Sequence, residues 1–354
     1  MKNIKNIAVI GEGKMGSSIF FWLIGYDFNL TWLCSDKSGM ESSRKTFEKK
    51  TRHLLHSSII SEPEFLSRLA NTTITINPGD LKNCDLVIEA ITENLTEKRK
   101  LFKLIGNIAG EDCLLVSNSS SLLPSDFFYK GCRKERFAGL HFFFPVSLKS
   151  TVELISGTST SDETRERLHN FLIQTGKRPF SQDESYPFIL NRLILDFQAE
   201  AFNIISEGEM SIHDLDELVK KYIFPAGVFQ FFDHVGIDTM LSSIESYMRF
   251  VTEREFYQPM IIRLREMVAL NHLGIKTKKG FYDYPDTSLS QDNKIQKDPV
   301  FDYQQVNIIT RLWNYYEKSF LSVLGSGICT RGELEIHLQD YLGLDRDPFT
   351  LREI

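Results

Sequence analysis

Short apolar runs alternate with helix-like stretches along the first half of the chain. In order from residue 6, the runs are NIAVI, NLTWLCSD, TTITI, DLVIEAI, CLLVSNSSS and RFAGLHFFF. Apolar runs of this length are typical of buried strands, and the stretches between them carry helical or turn patterns. Strands that alternate with helices predict an α/β fold with a doubly wound, mostly parallel sheet.

A different pattern begins near Asp183, where long amphipathic stretches replace the strands. We therefore predict an N-terminal sheet domain over residues 1–183, followed by an all-α domain over residues 184–286. Within the first domain, residues 40–70 have helical periodicity. They predict a helical hairpin inserted after the second strand.

The first predicted strand runs directly into the turn GEGKMG, residues 11–16. In a GxGxxG turn, the first glycine makes the tight turn and the second admits a pyrophosphate. The third lets the helix pack closely on the strand, and the phosphate binds at the helix N-terminus. We predict a Rossmann-type dinucleotide site at Gly11, Gly13, Met15 and Gly16, with a purely structural glycine turn as the alternative.

An acidic residue at the end of the second strand should hydrogen-bond the ribose of the dinucleotide. Simple counting places this position on Cys34, whereas a strand two residues longer places it on Asp36. Strand alternation puts both residues on one face, so both registers fit the pattern. We choose Asp36, with a plain cap or loop role as its alternative. NAD is predicted rather than NADP because no arginine is nearby.

A polar, turn-rich linker from Tyr284 leads to a second predicted helical module over residues 300–354. The segment from Thr310 aligns without gaps with the segment from Asn191. The identical pairs are Arg192 with Arg311, Leu193 with Leu312, Gly208 with Gly327, Leu215 with Leu334 and Tyr222 with Tyr341. Both segments have the pattern helix, glycine break, Ser/Thr cap, helix. This predicts a degenerate repeat, and two unrelated helical hairpins are the alternative.

Composition limits the kinds of partner. The net charge of −6 gives no reason to expect nucleic acid. The five cysteines are scattered without CxxC spacing, which argues against a disulfide framework or a zinc site. No long apolar region precedes Gly11, and no apolar run reaches the roughly 18 residues of a membrane span. We expect a cytoplasmic protein without signal peptide, membrane span or metal.

Four stretches carry polar residues where core packing alone would not favour them. SNSSS, residues 117–121, follows an apolar strand, and open α/β sheets bind ligands at the carboxyl ends of their strands. His141 lies among phenylalanines, Glu153 lies in an apolar strand, and Asn191 lies near the start of a long helix.

A buried histidine and a buried carboxylate each need a polar partner, and each can be the partner of the other. If His141 and Glu153 pair, the carboxylate fixes the imidazole tautomer and favours the imidazolium. Such a pair can take a proton from an alcohol while a neighbouring nicotinamide takes the hydride. A structural histidine and an ordinary strand acid are the alternatives.

Seven ordered blocks resemble the NAD-dependent 3-hydroxyacyl-CoA dehydrogenases. They cover residues 5–284 and read GEGKMG, DLVIEAITENLTEKRKLF, SNSSSLLPSDF, RFAGLHFFFPVSLKSTVELI, PFILNRLI with EAFNIISEG, FFDHVGIDT and GIKTKKGFYDY. The segment after the linker resembles a second, degenerate copy of that family's C-terminal helical module. Related single-module members dimerise through this module. The resemblance therefore implies either a homodimer or a monomer with an internal pseudo-dimer.

The resemblance also implies site residues. His141 is similar to the catalytic base, and Glu153 is similar to its carboxylate partner. Ser120 and Asn191 resemble residues that hold the substrate oxygen. Other residues resemble positions around NAD, namely Glu93, Lys98, Ser120 and Lys276. The inserted hairpin would line the arm of an acyl-CoA substrate, with phosphate contacts from Lys49, Lys50 and Arg52; a solvated helix face is the alternative for these three.

Several positions depart from the family pattern. Phe144 replaces the asparagine of HFFNP, and this change bears most on catalysis because that amide lies near the nicotinamide. Pro187 and Lys278 each replace a glycine, and AGVF replaces AGPF; these changes are expected to alter loop geometry. In the second helical copy, Thr310 occupies the place of Asn191, so that copy is expected to carry no active site.

Three functions compete. The favoured one is NAD-dependent oxidation of a 3-hydroxyacyl-CoA to a 3-oxoacyl-CoA, or the reverse, as in β-oxidation and butyrate metabolism. The second is a related dehydrogenase of a free hydroxy acid, such as a sugar acid or a carnitine-like compound. The third is a non-catalytic NAD- or acyl-CoA-binding protein with a site altered at Phe144. Joint retention of Ser120, His141, Glu153 and Asn191 favours an enzyme.

Overall fold

The computed structural model describes residues 3–284 and 303–344. Most of the predicted linker and the last ten residues of the predicted second module lie outside these ranges. The contacts divide the chain into two compact units, residues 1–188 and residues 189–354.

The first unit contains one eight-stranded sheet. Its strands are β1 (Asn6–Ile10), β2 (Asn29–Leu33), β3 (Thr72–Thr75), β4 (Leu86–Glu89), β5 (Leu114–Ser117), β6 (Phe137–Phe142), β7 (Thr151–Ser156) and β8 (Arg178–Asp183). The spatial order is β3-β2-β1-β4-β5-β6-β7-β8. Every neighbouring pair is parallel except β6 and β7. This confirms the predicted doubly wound, mostly parallel sheet.

Helices cover both faces of the sheet. They are α1 (Lys14–Leu23), α2 (Lys37–His56), α3 (Glu62–Ala70), α4 (Leu95–Ile108) and α5 (Asp162–Gln174). Alternate residues of β1 enter two separate cores: Ile7 and Val9 pack in one, and Ala8 and Ile10 pack in the other. A strand buried on both faces must be apolar at every position, which explains the continuous apolar run in the sequence.

Helices α2 and α3 occupy the segment for which an inserted hairpin is predicted. Asp36 caps the start of α2, and Ser61 with Glu64 forms a capping box at the start of α3. These caps satisfy backbone N–H groups that the first turn of a helix leaves without partners.

In its described part, the second unit consists of helices joined by loops, with two isolated β-bridges at Lys279. Its helices are α6 (Ile189–Leu193), α7 (Leu195–Ser206), α8 (Ile212–Tyr222), α9 (Val228–Val235), α10 (Ile237–Tyr247), α11 (Gln258–Ala269), α12 (Tyr303–Gly325) and α13 (Arg331–Leu342). The all-α region predicted after the sheet is thereby confirmed. None of the helices in residues 3–284 and 303–344 is long and apolar enough to cross a membrane.

The two segments of the predicted repeat have the same helix boundaries at their turns. Gly208 and Gly327 both adopt positive φ, at 74° and 73°. Ser211 caps α8 and Thr330 caps α13, each through its side-chain oxygen. The helix pair α12 and α13 packs against the other helices of the unit, with α12 mainly on α7 and α13 on α6.

Candidate active site

The glycine turn follows β1 and lies against the end of β4. Gly11 has φ +104°, and a Cβ added there would lie 2.6 Å from the carbonyl oxygen of Ala90. A Cβ on Gly16 would lie 2.2 Å from the carbonyl oxygen of Gly11, so α1 packs directly on the turn. A Cβ on Gly13 would meet no atom of the described residues within 4 Å. The outer two glycines are thus required by the fold, and the middle one faces open space.

This geometry fits a dinucleotide. The turn lies where the strand order reverses, between β1, β2 and β4, which is the usual ligand crevice of such sheets. In the described chain, α1 has no side-chain cap on its first turn, so its backbone N–H groups can meet a phosphate. Trp32 donates its indole N–H to the Gly11 carbonyl oxygen at 2.9 Å and steadies the turn. Met15 is half-buried and packs on the core beneath α1.

Two carboxylates, one exposed and one half-exposed, lie near the end of β2: Asp36, which follows the strand, and Glu12, whose side chain reaches Ser35 from the glycine turn. Asp36 accepts a hydrogen bond from the backbone N–H of Gly39 at 2.8 Å and so acts as the N-cap of α2. Glu12, from the glycine turn, accepts hydrogen bonds from the backbone N–H and the hydroxyl of Ser35. Cys34, the other candidate for the ribose position, is buried. The corner is therefore acidic, which disfavours the extra phosphate of NADP.

A buried lysine joins two glutamates beyond β4. The ammonium of Lys98 lies 2.7 Å from Glu89 and 3.2 Å from Glu93, and its side chain is 1% exposed. The resemblance implied that Lys98 and Glu93 flank the cofactor; the structure places the Lys98 ammonium between the carboxylates of Glu89 and Glu93. Glu89 also accepts the backbone N–H of Ile91 at 2.7 Å.

The serine-rich segment after β5 closes this cluster. Ser119 and Ser121 both donate to Glu93, the latter at 2.8 Å. Burial pushes the pKa of Glu93 upward, but Lys98 and the two hydroxyls outweigh burial and lower its pKa. Ser120, the predicted substrate-side serine, is half-buried between them.

His141 and Glu153 meet across the β6–β7 hairpin. The antiparallel register makes the two residues direct partners, and Nδ1 of His141 lies 2.6 Å from Oε2 of Glu153. Glu153 is fully buried, and its other oxygen accepts a hydrogen bond from Nε2 of Gln182 at 2.9 Å. The carboxylate therefore has a partner on each oxygen, as a buried charge requires.

Aromatic rings surround the imidazole. The rings of Phe143 and Phe188 lie 4.5 and 6.0 Å from it, centroid to centroid, in edge-to-face contact. The amide oxygen of Asn118 accepts the backbone N–H of Phe142 at 2.9 Å, which ties the end of β6 to the serine segment. These contacts exclude water from one side of His141, which is 5% exposed.

Phe144, which the resemblance matches to an asparagine, lies at the surface and is 46% exposed. The ammonium of Lys14, in the glycine turn, lies 4.2 Å from the centre of its ring. This is cation–π geometry, so the substitution links the glycine turn to the segment after β6.

Each of the remaining predicted residues has its own local contacts. Asn191, in the second unit, bonds to two tyrosine hydroxyls described below. Lys276 forms an exposed ion pair with Asp238. Three predicted phosphate contacts are exposed along α2, two of them beside phenylalanine rings: Lys49, Lys50 and Arg52. No group of three or more potential metal ligands occurs among the residues that the structure describes.

Sequence reasoning missed three supporting residues. Gln182 shares the inward face of β8 with Phe180, so strand alternation could have marked it as a buried polar residue. Glu89 ends an otherwise apolar strand, which is a similar signal. No sequence pattern marked Trp32 as a hydrogen-bond donor to the glycine turn, because an indole in a buried strand usually only packs.

The sheet, its glycine turn and the open helix end together are typical of the class of dinucleotide-binding proteins. Family models match almost all of the first 284 residues. Residues 6–185 match the NAD-binding domain of 3-hydroxyacyl-CoA dehydrogenase, and residues 188–284 match its C-terminal domain. The chain belongs to this family of NAD-dependent oxidoreductases, as the resemblance implied.

Individual relatives agree with the family models. The chain is 35% identical over 290 residues to the human mitochondrial hydroxyacyl-coenzyme A dehydrogenase, covering 79% of this chain and 91% of that protein. It is 33% identical over 285 residues to the 3-hydroxybutyryl-CoA dehydrogenase of Clostridioides difficile, covering 78% and 99%. The solved structure of the (S)-3-hydroxybutyryl-CoA dehydrogenase from Ralstonia eutropha aligns with a TM-score of 0.71 at 33% identity, over 80% of this chain and all of that one.

Proposed function

We propose that this chain oxidises the 3-hydroxyl group of an acyl-CoA to a ketone with NAD, or catalyses the reverse reduction. The observation that carries the proposal is the hydrogen-bonded series His141, Glu153 and Gln182, buried at adjacent strands of the sheet. A protein that only binds nucleotide has no need for an imidazole held by a buried carboxylate.

The series assigns a role to each ring nitrogen. Because Nδ1 faces a carboxylate, we assign its proton to that side, and Nε2 is then the basic nitrogen. Nε2 takes the hydroxyl proton of the substrate, and Glu153 stabilises the imidazolium that forms. Gln182 holds the second carboxylate oxygen and so restricts rotation of Glu153.

NAD, when bound, accepts the hydride from the substrate carbon. Its diphosphate would lie on the turn formed by Gly11, Gly13 and Gly16, and its adenine ribose near Asp36. Ser120 and Asn191 would hold the substrate oxygens, and Glu93 and Lys276 would complete the cofactor site. These roles come from the resemblance, and the open position above Gly13 supports the first of them.

Acyl-CoA is the substrate class that the relatives favour. The human, C. difficile and R. eutropha proteins are all named for CoA thioesters. On α2, the exposed cations Lys49, Lys50 and Arg52 offer charge for the phosphates of CoA.

A spectrophotometric assay tests the proposal. NADH absorbance is followed with acetoacetyl-CoA and then with free hydroxy acids, for the native chain, His141→Ala and Glu153→Gln. We expect turnover with the thioester only, and losses of about 10²–10⁴-fold in both variants. His169→Ala, an exposed histidine on α5, is the control and should retain full activity. Turnover only with free acids, or full activity in His141→Ala, would contradict the proposal.

We also propose that the chain is a monomer in which α12 and α13 replace a dimer partner. The packing of α12 along α7 supports this, because it covers a helix face with residues from the same chain. Light scattering of the full chain should give the mass of one chain. A stable homodimer would refute this part of the proposal.

A further inference from the structure

The side-chain amide of Asn191 is held by two tyrosines of its own unit. Its Oδ1 accepts a hydrogen bond from the hydroxyl of Tyr341 at 2.9 Å. Its Nδ2 donates to the hydroxyl of Tyr247 at 3.0 Å. Tyr247 is the last residue of α10 and is 3% exposed, whereas Tyr341 belongs to α13.

Two contacts on opposite ends of the amide restrict its rotation about the Cβ–Cγ bond and hold its plane. Because a tyrosine hydroxyl can both donate and accept, the two tyrosines hold this plane with either placement of the amide nitrogen and oxygen. Each tyrosine uses one site of the amide, which has two N–H donors and two acceptor lone pairs in all. Capacity for one further donor bond and one further acceptor bond therefore remains on the same group, whose plane the two tyrosines hold.

Helix α13 is itself held firmly enough to position a side chain. Thr330 and Glu333 form a capping box at its start, and Leu334 and Leu338 are fully buried. The preceding helix, α12, is held by Arg311, which pairs with Glu200 on α7 and with Glu207 and Glu209 just beyond the end of α7.

We propose that Tyr341 is a positioning residue for the reaction, acting through Asn191. The inference rests on the proposed function, in which Asn191 orients a substrate oxygen. It assigns a task to a helix that lies outside both family-model matches, since these end at residue 284. The C-terminal helices would then complete the active site as well as cover the surface of α7.

A double-mutant cycle tests the inference on the full chain. Tyr341→Phe removes one hydroxyl and keeps the ring, so folding and the KM for NADH should not change. One net hydrogen bond corresponds to a loss in kcat of about 2- to 10-fold. In the Asn191→Ala background, Tyr341→Phe should cause no further loss, because the group it positions is gone. Tyr315→Phe is the matched control, since Tyr315 lies on α12 and stacks on Phe256 at 4.7 Å.

The outcomes distinguish a wrong role for Tyr341 from a wrong proposed function. Loss of activity in Asn191→Ala without loss in Tyr341→Phe overturns the inference alone. Equal losses for Tyr341→Phe in both backgrounds also overturn it, because the effect is then independent of Asn191. Full activity in Asn191→Ala, or no thioester turnover in the native chain, overturns the proposed function first and the inference with it.

Discussion

Arg311→Ala should detach the C-terminal helices from the rest of the second unit. The guanidinium of Arg311 lies 2.6 Å from Glu200, 2.8 Å from Glu209 and 3.0 Å from Glu207. Burial alone lowers the pKa of Arg311, but the carboxylates of Glu207 and Glu200 outweigh it and raise the pKa above its ordinary value. The alanine variant leaves three negative charges facing each other without a cation.

The cost is set mainly by Glu200, which is 3% exposed. Removal of one partner of a buried ion pair costs about 3–5 kcal/mol, because the other charge stays in a dry site. Glu207 and Glu209 are 49% and 35% exposed, so their pairs add only about 0–1 kcal/mol each. Arg311 is 27% exposed, which places the expected loss near the lower limit, about 3 kcal/mol.

Urea denaturation and limited proteolysis measure this loss. Arg265→Ala is the control, because Arg265 forms a similar but exposed ion pair with Glu245 at 2.7 Å. We expect less than about 1 kcal/mol for the control. Adding Glu200→Gln to Arg311→Ala should recover much of the stability, since the buried charge is then removed.

A loss in Arg311→Ala no greater than in the control would refute the reasoning. So would a double variant with Glu200→Gln that is less stable than Arg311→Ala alone. In either case the buried carboxylate would not be the main source of the penalty. Activity gives a second check, because detachment of α13 removes Tyr341 from Asn191 and should reduce kcat as well.

Three further predictions concern the sheet, the site and the loop before residue 284. Phe144→Asn restores the family amide and should lower the Kd for NADH about 2- to 10-fold by one net hydrogen bond, measured by fluorescence titration; weaker binding would contradict this. Ser119→Ala removes a hydrogen bond that lowers the pKa of Glu93. Because folding lowers this pKa, ionised Glu93 stabilises the fold above its ordinary pKa of 4.5, and the stabilisation is lost as the pH falls through the folded-state pKa. Acid unfolding followed by circular dichroism should therefore begin at higher pH in that variant, and an unchanged midpoint would contradict this. Gly280→Ala places a Cβ 1.9 Å from Oδ1 of Asp233, so thermal unfolding should show a loss of about 3 kcal/mol or more, and an unchanged Tm would show that the loop shifts freely.

Local patterns were enough to predict the sheet and the glycine turn. The strand β1 and the turn after it are contiguous in sequence, and their geometry follows from steric rules for glycine. The positive φ of Gly11 and the contact at Gly16 are local consequences of that rule. The family blocks strengthened the same prediction without changing it.

Contacts between distant residues were predictable only as possibilities. The pairing of His141 with Glu153 depends on the register of β6 against β7, which the loop between them sets. Twelve residues of separation fit many registers, and a shift by one would turn one side chain to the other face. Gln182 depends in addition on β8, a third strand, so its contact with Glu153 could not be derived from spacing.

Lys98 illustrates a different difficulty, because its position was expected and its partners were not. Asn94 caps α4, so Lys98 lies in the first turns of that helix, and its rotation about the helix axis decides which groups the ammonium meets. The structure directs it into a dry site between two glutamates. The pattern of charges in the sequence does not determine this rotation, so it could not predict which groups Lys98 contacts.

The predicted repeat explains why α12 and α13 could lose one property and keep another. The role proposed for Asn191 depends on one side chain, and the second segment has Thr310 in its place. Packing depends on many side chains, and the buried leucines and turn glycines of both segments are retained. Arg311 and Tyr341 are also identical to their counterparts Arg192 and Tyr222, and in the second segment these side chains contact Glu200 and Asn191 of the first. A tyrosine common to both segments can therefore bond to the asparagine of the first segment, whose place in the second segment is taken by Thr310.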